Sequence, residues 1–277
     1  MLHAGALGQG QPQGDAQAVG PATPVALDSG PSPGPVTLNP MKGLVLAGGT
    51  ATRLFPLTIV TNKHLLPIYD RPMIYYPLDT LAGMGIREVM VIVGGKSVGD
   101  IVELLGDGRH FGLDLTYRYQ RGALGIAHAI GLARDFIGGD AFCVVLGDNI
   151  LRGEPLAETV QTFEDGPYGA GTLLYRVPDP ERFGVAELDE EGRVVGFEEK
   201  PEQPKSTIVS TGVYVMPKKV VGMVSQYVRE GNSADRFGDF LVWLMNRHNL
   251  HAFHFDKWFD IGTPETYARA NEEFARA

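Results

Sequence analysis

The sequence has little of what stabilises secreted or membrane-spanning proteins. One cysteine among 277 residues, Cys143, excludes an intrachain disulfide and is typical of a reducing compartment. No run approaches the roughly 20 apolar residues that a bilayer-spanning helix needs. The formal net charge of −9 argues against non-specific nucleic-acid binding, which requires a basic surface. We therefore expect a cytoplasmic protein that binds neither membranes nor nucleic acid and holds any phosphate ligand with a few placed groups.

Residues 1–40 lack lysine, arginine and every aromatic residue, and they contain seven prolines and seven glycines. Such a segment cannot bury enough apolar surface to offset the entropy that is lost on ordering. It also lacks the positive start and apolar block of a signal peptide. We predict a disordered tail over residues 1–40 and a folded domain over residues 41–277, with Met41 as a candidate initiator.

From Lys42 onward, short apolar runs alternate with segments of helical periodicity. The strand candidates are Gly43–Ala47, Glu88–Val93, Leu115–Gln120 and Ala141–Leu146, and the helix candidates are Pro72–Met84, Val98–Leu105 and Ile126–Phe136. Apolar strands separated by helices predict a mainly parallel sheet covered on both faces, a doubly wound, Rossmann-like α/β arrangement. Ligands of such sheets bind beyond the carboxyl ends of the strands. Three strand candidates are followed there by Gly48-Gly49, Gly94-Gly95 and Gly147-Asp148-Asn149.

After Gly169 the pattern changes, because strand candidates follow one another with few helices between them. These strand candidates are Thr172–Val177, Val185–Leu188, Val194–Glu198 and Val209–Val215. They predict a mixed or antiparallel extension of the sheet. The remaining predicted elements are helices near Lys218–Val228 and Phe237–His248, a strand at His251–Phe255 and a helix from Pro264.

The first predicted strand leads into a glycine loop that carries Arg53, and Lys63 follows ten residues later. Glycines allow backbone N–H groups to point at phosphates. An arginine can bind two phosphate oxygens at once, and a lysine adds a point charge. The segment thus provides the local cationic site that an acidic protein needs for a phosphate ligand. A glycine pair by itself is more often an ordinary turn, so the pattern needs further support.

That support comes from several motifs in a fixed order. They are LAGGTATRL from Leu46, KHLLP from Lys63, PMIYY from Pro72, LGDN from Leu146, DPERFGV from Asp179, EEKP from Glu198 and TGVY from Thr211. Together they resemble the sugar-nucleotide pyrophosphorylases, a nucleotidyltransferase family, and most of all the short-form glucose-1-phosphate thymidylyltransferases. The resemblance covers nearly all of residues 41–277. It implies an enzyme of nucleotide-sugar and polysaccharide biosynthesis that uses Mg²⁺ and forms a homo-oligomer.

The resemblance also implies roles for individual residues. Arg53 and Lys63 would hold the triphosphate and stabilise the leaving pyrophosphate. The remaining nucleotide contacts would come from Leu46, Ala47, Gly48, Gly49, Gln120 and Gly125, with Gln120 reading the base. The sugar phosphate would be held by Gly184, Glu199, Lys200 and Thr211. Asp148 and Asp260 would bind the metal.

Elementary chemistry agrees with these roles. A sugar phosphate oxygen is already an anionic nucleophile, so the main obstacle is its repulsion from the triphosphate, which Arg53, Lys63, Lys200 and a cation can screen. Magnesium favours one or two carboxylates together with substrate oxygens, which suits Asp148 and Asp260. A glutamine offers both a donor and an acceptor, and these match the O4 and N3–H edge of thymine or uracil.

Three departures from the family pattern leave the substrates open. Ala51 replaces a glycine and would be strained if the loop requires a positive φ. The stretch after Gln120 lacks the usual proline and acidic residue, and Asp235–Leu241 replaces a Gly-Glu-Leu-Glu-Ile-Thr-like segment. We favour dTTP or UTP with glucose 1-phosphate. The alternatives are a mannose-1-phosphate guanylyltransferase and a catalytically weakened regulatory or binding homologue, which only Ala51 supports.

Overall fold

A computed structural model describes residues 41–49, 51–152, 157–165, 169–255 and 257–276 of the chain. The tail predicted at residues 1–40 lies outside these residues. The described strands are β1 (Lys42–Ala47), β2 (Pro67–Ile68), β3 (Arg71–Pro72), β4 (Glu88–Val93), β5 (Asp114–Tyr119), β6 (Phe142–Leu146), β7 (Asn149–Arg152), β8 (Ala170–Arg176), β9 (Gly184–Leu188), β10 (Val194–Glu199), β11 (Ile208–Met216), β12 (Leu250–His254) and β13 (Lys257–Asp260). The described helices are α1 (Tyr75–Gly83), α2 (Val98–Leu105), α3 (Gly125–Leu132), α4 (Arg134–Ile137), α5 (Ala157–Asp165), α6 (Lys219–Arg229), α7 (Phe237–Met245) and α8 (Pro264–Ala275).

The main sheet in the described residues has nine strands. Seven of them follow the order β10-β9-β11-β6-β1-β4-β5, while β8 pairs with β11 and β12 pairs with β8. Strands β6, β1, β4 and β5 are parallel to one another, whereas β11 is antiparallel to β6, β8 and β9. This confirms the doubly wound α/β prediction, including its antiparallel extension.

Helices cover both faces of the parallel strands because adjacent side chains on a strand point to opposite sides. Leu44 of β1 belongs to a buried cluster that includes residues of α3, α6 and α7. Its neighbour Val45 belongs to a second buried cluster with residues of α1 and α2. Fully burying each such aliphatic side chain contributes about 1.5–3 kcal/mol. Packing on both faces of β1 therefore stabilises the strand, and with it the carboxyl end of the sheet from which the loops emerge.

Strand β11 carries an irregularity where the parallel strands meet the extension. Ser210 pairs with Leu174 of β8, and Tyr214 pairs with Thr172, so four steps along β11 correspond to two along β8. Gly212, inside this bulge, has a φ of +77°, which a glycine adopts without strain. Bulges of this kind are common beside functional sites because they redirect side chains.

The structure differs from the predictions mainly at short elements. Strands β7 and β13 were not predicted, nor were α5 and the β2–β3 pair. The helix predicted over Ile126–Phe136 divides at Ala133 into α3 and α4. The helix predicted from Pro72 begins at Tyr75, because Arg71–Pro72 pairs with Pro67–Ile68. Within the described residues, no helix combines the length and apolar character needed to cross a bilayer.

Candidate active site

Three neighbouring parallel strands bring Gly48, Gly94 and Gln120 together beyond their carboxyl ends. A Cβ atom on Gly48 would lie 2.7 Å from Gln120 Oε1, and one on Gly94 would lie 3.1 Å from the Gly48 Cα atom. Cβ contacts this short are rare, so a larger residue at Gly94 would push the loops apart, and one at Gly48 would displace the Gln120 side chain. Glycine here allows the close approach of three backbones.

The loop after β1 holds Ala51 in a left-handed conformation, with φ 54° and ψ 34°. The conditional prediction of strain therefore applies, since this conformation costs an L-residue roughly 1–2 kcal/mol. Thr58 Oγ1 donates to the Ala51 carbonyl at 3.1 Å, which helps to hold the turn. Arg53 follows in a single 3-10 turn, Thr52–Leu54.

Asn62, which the sequence reasoning missed, orders the segment that carries Lys63. Its side-chain oxygen accepts from the His64 backbone N–H at 3.1 Å and from His64 Nδ1 at 2.7 Å. Its amide nitrogen donates to the Gly94 carbonyl at 3.3 Å. These bonds tie the segment to the loop after β4, and the Lys63 ammonium donates to Asp148.

His64 is buried and neutral. Burial, reinforced by the nearby Lys63 charge, lowers the pKa of His64 to about 3. A Cβ on Gly147 would lie 2.7 Å from the His64 ring, so glycine before Asp148 leaves room for the imidazole. The ring thereby packs against Gly147, just after the end of β6, without adding a charge.

The two predicted metal carboxylates lie together, although they are far apart in the sequence. Strands β7 and β13 pair antiparallel with Asn149 opposite Asp260. The Ile261 N–H donates to the Asp148 carbonyl at 3.0 Å. Trp258 Nε1 donates to Asn149 Oδ1 at 2.6 Å and fixes the pairing further. Two short strands therefore set the distance between these acidic residues.

The electrostatics of the pair favour a cation. Burial, followed by repulsion from Asp148, raises the pKa of Asp260 to about 6, against the opposing effects of Lys63 and Arg53. Burial is the largest single effect on Asp148 and acts to raise its pKa, but the combined lowering effects, led by the Lys63 charge, hold that pKa below its ordinary value. The described residues contain no cluster of three or more His, Cys, Asp or Glu side chains suited to a metal. Two hard carboxylates fit Mg²⁺, which takes its other ligands from water and substrate phosphates.

Two adjoining cavities open along this edge of the sheet. The first, which we term the loop cavity, has a volume of about 260 Å³ and includes the predicted residues Leu46, Gly48, Gly49, Lys63, Gln120, Gly125 and Asp148 in its lining. The second, the bulge cavity, has a volume of about 200 Å³ and includes Arg53, Asp148, Gly184, Glu199, Lys200, Thr211 and Asp260. They share Ile126, Leu146, Asp148 and Asp235. Ala47 alone among the predicted residues lines neither, because its side chain is buried in the core with Val45.

Gln120 reaches the loop cavity with only part of its amide available. Its Nε2 atom donates to the Gly125 carbonyl at 3.2 Å and lies 3.0 Å from His128 Nδ1. The expectation that Gln120 offers a base both a donor and an acceptor therefore does not hold, because its amide nitrogen is engaged within the protein. Gly125 has a φ of +81°, and a Cβ on it would lie 2.2 Å from the Ala234 carbonyl oxygen.

The bulge cavity is built from the antiparallel extension. Lys200 has a φ of +51°, a strained conformation for lysine, and its N–H donates to the Phe183 carbonyl at 2.9 Å. A Cβ on Gly184 would lie 2.6 Å from the Phe197 ring and 3.3 Å from Glu199 Oε2. Thr211 is buried, and its hydroxyl donates to the Leu173 carbonyl at 3.1 Å. Strain of this kind concentrates at functional sites.

Several lining residues were missed by the sequence reasoning. Arg182 and Trp258 line the bulge cavity; Arg182 stands in the DPERFGV motif, and Trp258 lies two residues before Asp260. These positions were the signal that could have found them. Asp235 lines both cavities, and no local pattern pointed to it, because it arrives from the loop before α7.

Comparison with known proteins finds close relatives. The glucose-1-phosphate thymidylyltransferase of Neisseria meningitidis is 39% identical over 233 residues, 83% of this chain and 81% of the relative. That of Xanthomonas campestris is 40% identical over 237 residues, 83% of this chain and 79% of the relative. A crystal structure from Bacillus anthracis, provisionally described as a glucose-1-phosphate thymidylyltransferase in complex with a sucrose, is 41% identical with a TM-score of 0.78. It covers 84% of this chain and 94% of its own.

A sequence model of nucleotidyl transferases matches residues 42–277. The matched region contains both cavities, the loop after β1 and the carboxylate pair described above. Family model, relatives and fold agree over the same part of the chain. The chain belongs to the nucleotidyl transferase family.

Proposed function

We propose that this protein transfers the nucleotidyl group of dTTP or UTP to glucose 1-phosphate, forming a nucleoside diphosphate glucose and pyrophosphate. The observation that carries the proposal is the pair of cavities that meet at Asp148. A triphosphate in the loop cavity and a sugar phosphate in the bulge cavity would bring the reacting atoms to that junction. The names of the relatives support the same substrates.

The reaction needs positioning and charge neutralisation more than a covalent catalyst. A phosphate monoester is largely dianionic at neutral pH because its second pKa is about 6, so no protein base is required. A sugar phosphate oxygen attacks the α-phosphorus of the triphosphate. The bond from that phosphorus to the bridging oxygen breaks, and pyrophosphate leaves with the electron pair.

Arg53 and Lys63 would stabilise the negative charge on the leaving pyrophosphate. Lys63 lines the loop cavity and pairs with Asp148, whereas Arg53 lines the bulge cavity beside Asp260. The two cations thus belong to the two cavities that meet at Asp148. This arrangement supports the local neutralisation that a protein of net charge −9 requires.

Asp148 and Asp260 would hold Mg²⁺, which members of the family generally need. Bound there, the ion would neutralise charge on the phosphate oxygens of both substrates. Lys63 keeps Asp148 ionised, and an ionised carboxylate is the form that ligates a metal.

The sugar would be bound by Glu199 and Lys200 at the end of β10. The Glu199 side chain is largely buried, at 17% exposure, and can accept from sugar hydroxyls. The Lys200 ammonium is 65% exposed, lies 3.7 Å from Glu199 Oε1 and can turn toward a phosphate. A cytoplasmic location and a homo-oligomeric state stay predictions from the sequence.

A substrate matrix tests the proposal. The purified full-length chain is incubated with Mg²⁺, each of five nucleoside triphosphates and a panel of sugar 1-phosphates, and the nucleotide sugar is quantified by chromatography. We expect dTTP or UTP with glucose 1-phosphate to react fastest. GTP better by more than about tenfold would indicate the guanylyltransferase alternative. No product from any pair would indicate a regulatory homologue.

A further inference from the structure

His128 lies outside both cavities, yet it contacts the residue proposed to read the base. It belongs to α3, about one helical turn after Gly125. Its Nδ1 atom is 3.0 Å from Gln120 Nε2. His128 also lines a separate surface cavity, together with residues that include Tyr119 and Arg121. The family roles described above give His128 no task.

The hydrogen bonds around Gln120 decide which way its amide points. The Gly125 carbonyl can only accept, so the atom 3.2 Å from it must be the amide nitrogen. The same nitrogen faces His128 Nδ1, so that ring atom must accept and the imidazole proton resides on Nε2. Both amide hydrogens are therefore engaged within the protein. Gln120 is 5% exposed, which leaves little room for another arrangement.

The atom that remains for a ligand is the Gln120 oxygen. It lies over Gly48, since a Cβ there would be 2.7 Å from Oε1, and both residues line the loop cavity. From the Gln120 side chain, a base in this cavity therefore meets only an acceptor. The N3 position of thymine or uracil carries a hydrogen and can donate to that oxygen, whereas N3 of cytosine is itself an acceptor and is repelled.

We propose that His128 is a positioning residue that fixes Gln120 with its oxygen toward the base and thereby sets the preference for thymine or uracil over cytosine. This inference rests on the proposed function, because it assumes that the loop cavity takes the nucleotide. His128 acts through Gln120 and touches no substrate.

The test compares two substitutions with different hydrogen-bonding capacity. His128→Phe keeps a ring but removes the acceptor, while the side-chain oxygen of His128→Asn can replace Nδ1. Steady-state kinetics with dTTP and CTP, at saturating glucose 1-phosphate, give KM and kcat for each protein. For His128→Phe we expect KM for dTTP to rise roughly tenfold and the dTTP-over-CTP ratio of kcat/KM to fall by about the same factor. Its kcat with dTTP should stay within about twofold, and His128→Asn should resemble the wild type.

Two results would overturn the inference. One is an unchanged KM and base preference in His128→Phe. The other is equal damage in His128→Asn, which would assign the effect to ring packing instead of the acceptor. Circular dichroism checks folding, and His128→Leu replaces the Phe variant if that protein does not fold.

Equilibrium binding of dTTP by calorimetry separates this inference from the proposed function. A wild-type protein that binds dTTP without forming product would contradict the proposed reaction and still allow the His128 comparison. Equal dTTP affinity in wild type and His128→Phe would overturn the His128 role even if nucleotide sugar is made. A wild type that binds neither dTTP nor UTP would overturn both.

Discussion

The loop cavity and the bulge cavity differ in how they are built. The loop cavity is formed by parallel strand ends whose glycines bring Gly48, Gly94 and Gln120 into contact. The bulge cavity is formed by antiparallel strands, with a two-residue register shift in β11 and a strained Lys200. The loop cavity depends on glycines that leave space for close contact, whereas the bulge cavity depends on backbone irregularities that redirect side chains. Asp148 belongs to both, so the chemistry should depend most on their junction.

The largest expected effect comes from breaking that junction. Asp148→Asn and Asp260→Asn should each lower kcat on the order of 1,000-fold, because each removes half of a metal site. The double variant should be little worse than the poorer single one, since residues that act as a unit are not additive. The measurement is kcat at saturating substrates over a range of Mg²⁺ concentrations.

Asp114→Asn supplies the matched control, because Asp114 is exposed on β5 and lines neither cavity. It should retain wild-type turnover. Additive losses in the double variant, or normal turnover in folded Asp148→Asn, would show that the carboxylates do not share an ion.

The second effect concerns stability at the same junction. The pKa of Asp260 is raised from 3.8 to about 6, so its charged form destabilises the folded protein above pH 6 and the cost disappears as pH falls toward 3.8. In metal-free buffer, Asp260→Asn should therefore raise the unfolding free energy by about 2–3 kcal/mol near pH 7.5 and by almost nothing below about pH 4.

Urea denaturation of wild type, Asp260→Asn and Asp114→Asn at both pH values measures this difference. Asp114→Asn should follow the wild type. A gain for Asp260→Asn that is equal at both pH values would assign the effect to packing and not to charge.

A third prediction separates the two cavities. Gly48→Ala would place a Cβ 2.7 Å from Gln120 Oε1, and Gly184→Ala would place one 2.6 Å from the Phe197 ring. The first should raise KM for the triphosphate about tenfold and the second KM for the sugar phosphate by a similar factor, because each perturbs one cavity. Both values come from initial rates with one substrate varied at a time.

A glycine with free space outside both cavities serves as the control for this pair. A Cβ on Gly222 would meet nothing within 4 Å, so Gly222→Ala should leave both KM values near wild type. If Gly48→Ala and Gly184→Ala each raised both KM values equally, the cavities would not bind separate substrates.

The smallest effect concerns the loop alone. Ala51→Gly should stabilise the protein by about 1 kcal/mol, because glycine adopts the φ of 54° without strain, and turnover should stay equal or rise. Ala268→Gly, at an exposed position of helix α8, should instead destabilise by about 1 kcal/mol. Thermal unfolding shifts of the same sign for both would contradict the strain argument.

Sequence reasoning predicted the parallel half well for a physical reason. Strand β4, for example, has a continuous apolar run over Val89–Val93, and the residues that follow it lead directly to the site. The family resemblance implied that Asp260 binds the metal, but no local sequence pattern predicted how Asp260 meets Asp148. That contact depends on β7 and β13, strands of four residues each, which are too short to show a period.

The sequence also could not predict contacts that depend on how separate elements pack against each other. The Gln120 amide was expected to offer a base both a donor and an acceptor, yet Gly125 and His128 engage its nitrogen. That outcome depends on how α3 packs beside the end of β5. Asp235 likewise enters both cavities from a distant loop. Such side-chain geometry follows from tertiary packing and has no signature in a single sequence.

The stereochemistry of transfer tests the central claim, direct attack across the two adjoining cavities, most directly. The substrate is dTTP with one defined configuration at a sulfur-substituted α-phosphorus, and phosphorus NMR reads the configuration of the resulting nucleotide sugar. A single in-line displacement predicts inversion. Retention would contradict the account, because it requires two displacements through a nucleotide covalently bound to a protein group such as His64, which lines the loop cavity.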